Sequence, residues 1–144
     1  MNPALNTIGV GDALPELSIP ITPRLIVGAA LASRDYQNVH HDVAGAKALG
    51  SPDIFMNILT TNGLVGRYVT DWAGSGARLK KVAIKLGAPN YPGDTMVFRG
   101  EVTAVDRESG AVVLDVKGKN SMGYHVTGSV ELSLENAAPA GGAS

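Results

Sequence analysis

Hydrophobic residues follow two different periods along this chain. Between Ile54 and Trp72 they fall on nearly every side of a helix, whereas from Val82 to Leu86 they alternate with polar residues. A helix that is apolar all round is buried, and a two-residue period is typical of strands with one covered face. The pattern therefore predicts one long buried helix followed by a sheet. The apolar positions of the helical segment are Ile54, Phe55, Ile58, Leu59, Leu64, Val65, Tyr68, Val69 and Trp72.

The segments before this helix are shorter. Glu16 to Ile21 alternates polar and apolar residues and predicts a short edge strand, a position that tolerates its proline. Thr22 followed by proline is typical of a helix start. The alanine-rich stretch Arg24–Ser33 predicts a helix, although its branched apolar run would suit a strand equally well. Asp42 is predicted to cap a short helix that ends at Leu49, before a glycine.

The start of the long helix has a clear signal. Ser51-Pro52-Asp53 combines a capping residue, a proline and an acid, which is typical of a first helical turn. Gly63 and Gly66 lie inside the helix, where each glycine costs about 1 kcal/mol relative to alanine. We therefore expect both glycines to mark a close approach of the helix backbone to a sheet.

Four later segments have the period of strands. They are Val82–Leu86, Thr95–Asp106, Val112–Val116 and Val126–Leu134, and Gly100 is a candidate β-bulge within the second. Because short turns connect them, we expect an antiparallel sheet. A sheet wrapped around one long central helix is an α+β architecture. Its outer face would still require a partner, since one helix covers only one side.

Composition restricts what the protein can be. Its 144 residues suffice for one domain, which we assign to residues 1–136, with a loose arm up to Val10 and a flexible tail over residues 137–144. The 12 basic and 13 acidic residues form no long runs, which argues against a nucleic-acid partner. There is no cysteine, hence no disulfide and no cysteine nucleophile. No long apolar segment or basic leader is present, so we expect a cytoplasmic protein without a membrane span.

The densest candidate chemistry lies between Asp35 and Asp42, a stretch that also contains two of the three histidines. Asp35 and His40 are five positions apart and cannot share one helix face. They can converge if a helix ends near Asp35 and a loop brings His40 back across its end. Such a pair could hold one water between an acceptor and a general base. Taken alone, Asp35 could equally cap a helix, and His40 could be a structural histidine bonded to a carbonyl.

Other polar and aromatic residues have simpler interpretations. His41 is expected to be structural, because adjacent histidines diverge, and with Asp42 they lack the spacing of metal ligands. We therefore predict no metal site. His125 lies beside a turn and is predicted to be at the surface. Tyr68 and Trp72, at helical spacing, are predicted to belong to the core or an interface.

The pattern Asp35…His40-x-Asp42, followed by a buried helix and four strands, resembles the hot-dog-fold MaoC-like dehydratases, the (R)-specific enoyl-CoA hydratases. The segment Val10–Pro15 and the Val126-Thr127-Gly128 strand add to the likeness, which covers roughly Val10 to Glu135. ASRDYQNVHHD, SPDIFMNILT and RYVTDWAG are similar to the small subunit of heteromeric MaoC-like hydratases that act on steroid side-chain enoyl-CoA thioesters in actinobacteria.

This resemblance implies a role for three residues. Asp35 and His40 match the catalytic acid and histidine, and the backbone N–H of Asn57 matches the oxyanion contact. The last assignment is physically reasonable, because the first turn of a helix leaves amides free at the positive end of its dipole. The sequence also departs from the family. Gln37-Asn38-Val39 stands where the family has Asn-Pro before the histidine, and Met56-Asn57 replaces the family's His-Gly.

The resemblance implies syn addition of water to a trans-2-enoyl-CoA, without a metal or redox cofactor, since CoA is part of the substrate. It also implies a homodimer, or a heterodimer or heterotetramer with a second MaoC-like chain. A non-catalytic scaffold subunit is an alternative. A hot-dog acyl-CoA thioesterase is another, but its carboxylate would lie on the central helix, where only Asp53 and Asp71 are available, near the ends. Lys80, Lys81 and Lys85 could meet CoA phosphates or simply form a solvated strand face.

Overall fold

The computed structural model describes residues 3–135, so the predicted tail over residues 137–144 lies outside the described residues. A five-stranded sheet dominates the fold, in the order β1-β3-β4-β5-β2, with every neighbouring pair antiparallel. Its strands are β1 (Ala13–Pro20), β2 (Arg78–Leu86), β3 (Thr95–Val105), β4 (Ala111–Asn120) and β5 (Gly123–Ser133). The predicted edge position of the first strand is confirmed, although the strand begins three residues earlier than expected.

Three α-helices precede most of the sheet. They are α1 (Pro23–Ala32), α2 (Val43–Ala48) and α3 (Ile58–Ala73), and a single 3-10 turn, Asn38–His40, separates α1 from α2. The Thr22 side chain accepts a hydrogen bond from the Leu25 amide at 3.1 Å, which confirms the predicted start of α1. Asp42 occupies the N-cap position of α2 as expected, but its side chain makes no capping hydrogen bond.

The core lies between α3 and the inner face of the sheet. Val65, Tyr68 and Val69 of α3 are all buried, and the Tyr68 ring stacks on Phe98 of β3 with ring centroids 5.2 Å apart. The sheet contributes a layer of alternating residues whose side chains are almost completely inaccessible: Met96, Phe98, Val102, Val112, Leu114, Val116, Val126, Val130 and Leu132. The architecture is therefore α+β with one principal helix, as the two periods of the sequence predict.

The long helix starts six residues later than the predicted cap at Ser51 implies. Its N-cap is Asn57, and the Ser51-Pro52-Asp53 signal forms a local turn instead. Two of the residues that stay outside the helix, Phe55 and Met56, donate their amides to distant residues. The Phe55 N–H donates to the Val39 carbonyl at 3.0 Å, and the Met56 N–H donates to the Asn90 carbonyl at 3.1 Å. Tertiary hydrogen bonds thus override a local helix signal.

The glycines of α3 do not mark a close approach, which corrects the prediction. A Cβ added to Gly63 would meet nothing within 4 Å, and one added to Gly66 would meet only a Leu79 methyl at 3.8 Å. The crowded glycines lie on the sheet, where a Cβ on Gly100 would come within 3.2 Å of Tyr68 and one on Gly128 within 2.2 Å of the Ala83 carbonyl oxygen. Glycines of the sheet, and not those of the helix, therefore permit the close packing in this fold.

The helix is also less completely buried than expected. Ile58 and Leu59 are about half exposed, at 52% and 49%, so α3 buries one side only. No described helix has the length and apolar composition needed to span a bilayer.

Two smaller expectations were wrong. The described part of the N-terminal arm, residues 3–10, is packed, since Leu5 and Ile8 are buried and their carbonyls accept hydrogen bonds from the Arg107 guanidinium. Against β4, the register of β3 shifts between Val102 and Ala104, and beside Gly100 the extra residue lies in β1, between Leu14 and Leu17, and not in β3. The outer face of the sheet carries paired charges, such as Arg99 with Glu16 and Lys117 with Asp115.

Replacing Gly63 with alanine is expected to stabilise the protein by about 0.5–1 kcal/mol, because the site is open and alanine is the better helix former. Gly128→Ala is the matched contrast and should be strongly destabilising, since its methyl would collide with the β2 backbone. Urea unfolding of both variants measures this difference. A loss of stability in Gly63→Ala would show that this face of α3 is packed.

Candidate active site

The end of α1 positions Asp35. The Asp35 N–H donates to the Ala30 carbonyl at 2.9 Å and the Arg34 N–H to the Leu31 carbonyl at 3.1 Å, the hydrogen-bond pattern of a Schellman termination. Arg34 adopts a φ of 58°, a left-handed conformation that costs a non-glycine residue about 1–2 kcal/mol. This strained turn reverses the chain immediately before Asp35 and fixes where the carboxylate stands.

The 3-10 turn that follows positions His40. Its ring is buried, lies edge-on to Phe55 with centroids 5.0 Å apart, and places Nδ1 2.7 Å from the Phe55 carbonyl oxygen. A carbonyl can only accept, so Nδ1 carries the proton. Neutral His40 therefore presents the unprotonated Nε2 on the other side of the ring, as a hydrogen-bond acceptor and potential base.

Asp35 and His40 meet as the sequence predicts. The His40 Nε2 lies 3.4 Å from Asp35 Oδ2, and both side chains are largely covered, with 7% and 18% of their surfaces exposed. An ionised carboxylate is also an acceptor only. Two acceptors that face each other require a donor, which a water molecule bonded to both or a proton on Nε2 can supply. This arrangement can therefore hold a water against a base.

The backbone amide of Asn57, the predicted oxyanion contact, lies at the start of α3. The amides of the two preceding residues, Phe55 and Met56, are bonded to carbonyls, as described above. The Asn57 N–H has no acceptor among residues 3–135, although the residue is only 2% exposed. A buried amide without a partner is uncommon. At the positive end of α3, it can stabilise a negative oxygen.

The Asn57 side chain has an arrangement that sequence reasoning did not predict. Its Nδ2 donates to Asp35 Oδ2 at 3.0 Å and to Ser33 Oγ at 3.0 Å, while its Oδ1 accepts from the Thr60 N–H at 2.9 Å. The bond from Asn57 is the main reason why the pKa of Asp35 lies below its usual value. Burial opposes the shift, while the Gln37 amide and the charges of His40 and His41 assist it.

Neighbouring polar residues take other roles. The His41 ring points to the Tyr36 carbonyl oxygen, with Nε2 2.9 Å away, which agrees with its predicted structural role. Within residues 3–135, no group of three or more histidine, aspartate or glutamate side chains is arranged to hold a metal ion. Lys81 pairs loosely with Glu131 at 3.9 Å on the solvated face of β2.

His125 is buried, and its predicted surface position is wrong. Its Nδ1 donates to the Ala88 carbonyl at 2.7 Å, and its Nε2 accepts from the Thr61 hydroxyl at 2.7 Å. The ring thus connects β5, the loop after β2 and the first turn of α3. The sequence around His125, with Val126 and a turn beside it, gave no signal for burial of the ring, because its partner Thr61 is 64 residues away in the chain.

Apolar side chains surround the paired residues on the protein surface. Five large ones in or near the segment are exposed: Leu31, Tyr36, Val43, Ile58 and Leu59. An apolar groove of about 380 Å³ also runs between α1 and α3, from Leu25 and Leu64 to Ser33 and Thr60, which both contact the Asn57 side chain. Exposed apolar surface of this kind marks a binding region for a ligand or another chain.

Comparison with known proteins gives this geometry a context. The family described as MaoC like domain matches residues 10–122 of the chain. The beta subunit of 3-oxo-4,17-pregnadiene-20-carboxyl-CoA hydratase from Mycobacterium tuberculosis is 54% identical over 127 residues, which make up 88% of this chain and 97% of that protein.

Solved structures agree with this result. A chain of the ChsH1-ChsH2 complex from Mycobacterium tuberculosis matches with a TM-score of 0.85 and 53% identity, over 90% of this chain and 99% of that one. The (R)-hydratase from A. caviae involved in PHA biosynthesis matches with a TM-score of 0.82 and 21% identity, over 90% and 98% of the two chains. The likeness to the second structure concerns the fold alone. Together they confirm the predicted hot-dog fold.

The buried His125 leads to a prediction about stability. Burial lowers the pKa of His125, against the smaller opposing effect of its bond to Ala88. As the pH falls below about 6.5, His125 therefore becomes protonated in the unfolded chain before it does so in the folded protein. The free energy of unfolding should decrease as the pH drops through this range. In His125→Gln the free energy of unfolding should depend less on pH than in the wild type. Urea titrations between about pH 8 and pH 5 test this, and parallel curves would contradict it.

Proposed function

This chain belongs to the MaoC-like domain family, and from that premise we propose that it is an enoyl-CoA hydratase that acts on steroid side-chain thioesters. The observation that supports the chemistry most directly is the 3.4 Å approach of Asp35 Oδ2 and His40 Nε2, because a water bonded to both atoms would lie against a base. The identity of 54% to the beta subunit of a pregnadiene-carboxyl-CoA hydratase supports the substrate class.

The proposed reaction is a syn addition of water to a trans-2-enoyl thioester. Asp35 and His40 hold the water and remove one of its protons as its oxygen bonds to C3. The electrons of the C2–C3 double bond move toward the thioester carbonyl, whose oxygen gains negative charge. A proton from the same pair then reaches C2, so that one water is added and nothing is oxidised or reduced.

The free Asn57 amide is proposed to stabilise the thioester oxygen. Its N–H lacks any other acceptor among the described residues, and α3 adds the positive end of its dipole. Donors of this kind are worth about 3–4 kcal/mol when they meet charge that develops only in the transition state. We propose R configuration at C3 from the family resemblance, no metal or redox cofactor, and a cytoplasmic location.

A second MaoC-like chain is proposed as the partner. Exposed apolar residues around the pair, such as Tyr36 and Ile58, leave a surface that another chain could cover, and the similar protein of the ChsH1-ChsH2 structure is part of a complex of two chains. Because this chain retains both Asp35 and His40, we assign the chemistry to it. The thioesterase alternative is disfavoured, because the carboxylate of Asp71 at the far end of α3 is exposed and paired with Arg67.

Substrate class is tested by co-purifying the chain with a second MaoC-like chain encoded beside it. Hydration is followed by the loss of enoyl-thioester absorbance for short-chain, long-chain and steroid substrates. The complex should prefer the steroid thioester. Full activity of the chain alone on short thioesters would overturn the steroid assignment, and release of free CoA without hydration would favour a thioesterase.

The roles of the paired residues are tested by Asp35→Asn and His40→Gln. Each should lower kcat at least ~100-fold, the usual scale for loss of a general acid–base group. His41→Gln is the matched control, since its ring bonds the Tyr36 carbonyl away from Asp35, and it should keep most of the activity. Near-normal turnover by a complex that contains Asp35→Asn would instead place the chemistry in the partner and make this chain a scaffold.

A further inference from the structure

We propose that the side chain of Asn57 is a positioning residue that holds one carboxylate oxygen of Asp35 toward His40 for the hydration step. The inference rests on the proposed function and extends it to a side chain, whereas the oxyanion contact uses only the Asn57 backbone. It is carried by a hydrogen-bond network in which Asn57 links the beginning of α3 to the end of α1.

The orientation of the Asn57 amide is determined by the backbone. Its side chain lies at the N-cap of α3 and accepts a hydrogen bond from the Thr60 N–H. Of the two polar atoms of the side-chain amide, only the oxygen can accept such a bond. The Thr60 hydroxyl also donates to the same oxygen. The NH₂ group must therefore point the other way, toward Ser33 and Asp35, and both of its hydrogens find acceptors there.

Ser33 makes the link rigid. Its hydroxyl donates to the Ala29 carbonyl at 2.8 Å in the last turn of α1, which leaves its oxygen lone pairs to accept from Asn57 at 3.0 Å. Ser33 is the C-cap of α1, two residues before Asp35. The Asn57 amide is thus bonded to the helix end from which Asp35 projects, in addition to the carboxylate itself.

The contact with Asp35 falls on the oxygen that faces the base. Oδ2 receives the Asn57 hydrogen bond and is also the oxygen 3.4 Å from His40 Nε2, whereas Oδ1 is approached by the Gln37 amide at 3.4 Å. A donor on Oδ2 stabilises the ionised carboxylate and restricts its rotation. Of the other titratable groups near Asp35, His40 and His41 favour the same ionised state when their rings are protonated.

A purely structural role for Asn57 makes a different prediction. If the side chain only caps α3, then serine, which is an equally good N-cap, should replace it without effect on Asp35. Serine has no NH₂ group and its hydroxyl is too short to replace the bond to Asp35 while it accepts from Thr60. Asn57→Ser therefore separates capping from positioning. The variant keeps the backbone amide that is proposed to stabilise the thioester oxygen.

The experiment compares the complex carrying Asn57→Ser with the wild type, with Asn57→Asp as the second variant and Asn62→Ser as the control. Asn62 is exposed on the same helix. The carbon-13 chemical shift of the Asp35 carboxyl is titrated, and kcat and KM are measured separately. We expect the pKa of Asp35 to rise in Asn57→Ser and to rise further in Asn57→Asp, where a second carboxyl faces it. In Asn57→Ser, kcat should fall about 10-fold or more, with KM little changed.

An unchanged Asp35 titration and unchanged kcat in Asn57→Ser would overturn the inference. The activity of Asp35→Asn then tests the proposed function separately. If that variant is inactive, the proposal that Asp35 takes part in hydration is kept, and only the proposed role of the Asn57 side chain is rejected. If Asn57→Ser does not fold, the titration of Asn57→Asp decides, and an Asp35 pKa equal to that of the wild type would likewise reject the proposal.

Discussion

The account depends on two lone pairs that face each other across 3.4 Å, one on Asp35 Oδ2 and one on His40 Nε2. The bond from His40 Nδ1 to the Phe55 carbonyl fixes the proton on the far side of the ring, so the two near atoms repel unless a donor joins them. When His40 takes a proton from water, the same two atoms become an attractive pair. The arrangement therefore favours a bridging water before the proton transfer and an imidazolium beside a carboxylate after it.

Much of the surrounding structure keeps residues 55–57 out of the helix that their sequence favours. The Asn90 carbonyl takes the Met56 amide, and Asn90 is itself held by the Asn120 side chain of β4, 2.9 Å from its Oδ1. The His125 ring fixes the neighbouring loop and Thr61. The sheet thus sets the place where α3 begins, and with it the location of the free Asn57 amide. Catalytic geometry and fold are connected through this short extended segment.

Sequence reasoning predicted the parts of this structure that depend on local patterns. The start of α1 at Thr22 and Pro23 follows from capping preferences, whereas the spacing of Asp35 and His40 only allowed them to converge and the family resemblance implied that they do. It failed where distant residues decide. The Ser51-Pro52-Asp53 signal was overridden by hydrogen bonds to the carbonyls of Val39 and Asn90, and buried His125 contacts Thr61, 64 positions earlier in the chain. The Asn57 side-chain network could not be predicted, because it requires the ends of α1 and α3 to be neighbours.

Neutron diffraction from crystals of the complex grown in heavy water near neutral pH tests the central claim most directly, because it locates the protons on His40. The account predicts a deuteron on Nδ1 only, and one water whose two deuterons point to His40 Nε2 and to Asp35 Oδ2. A deuteron on Nε2 bonded directly to the carboxylate, with no water between them, would contradict it.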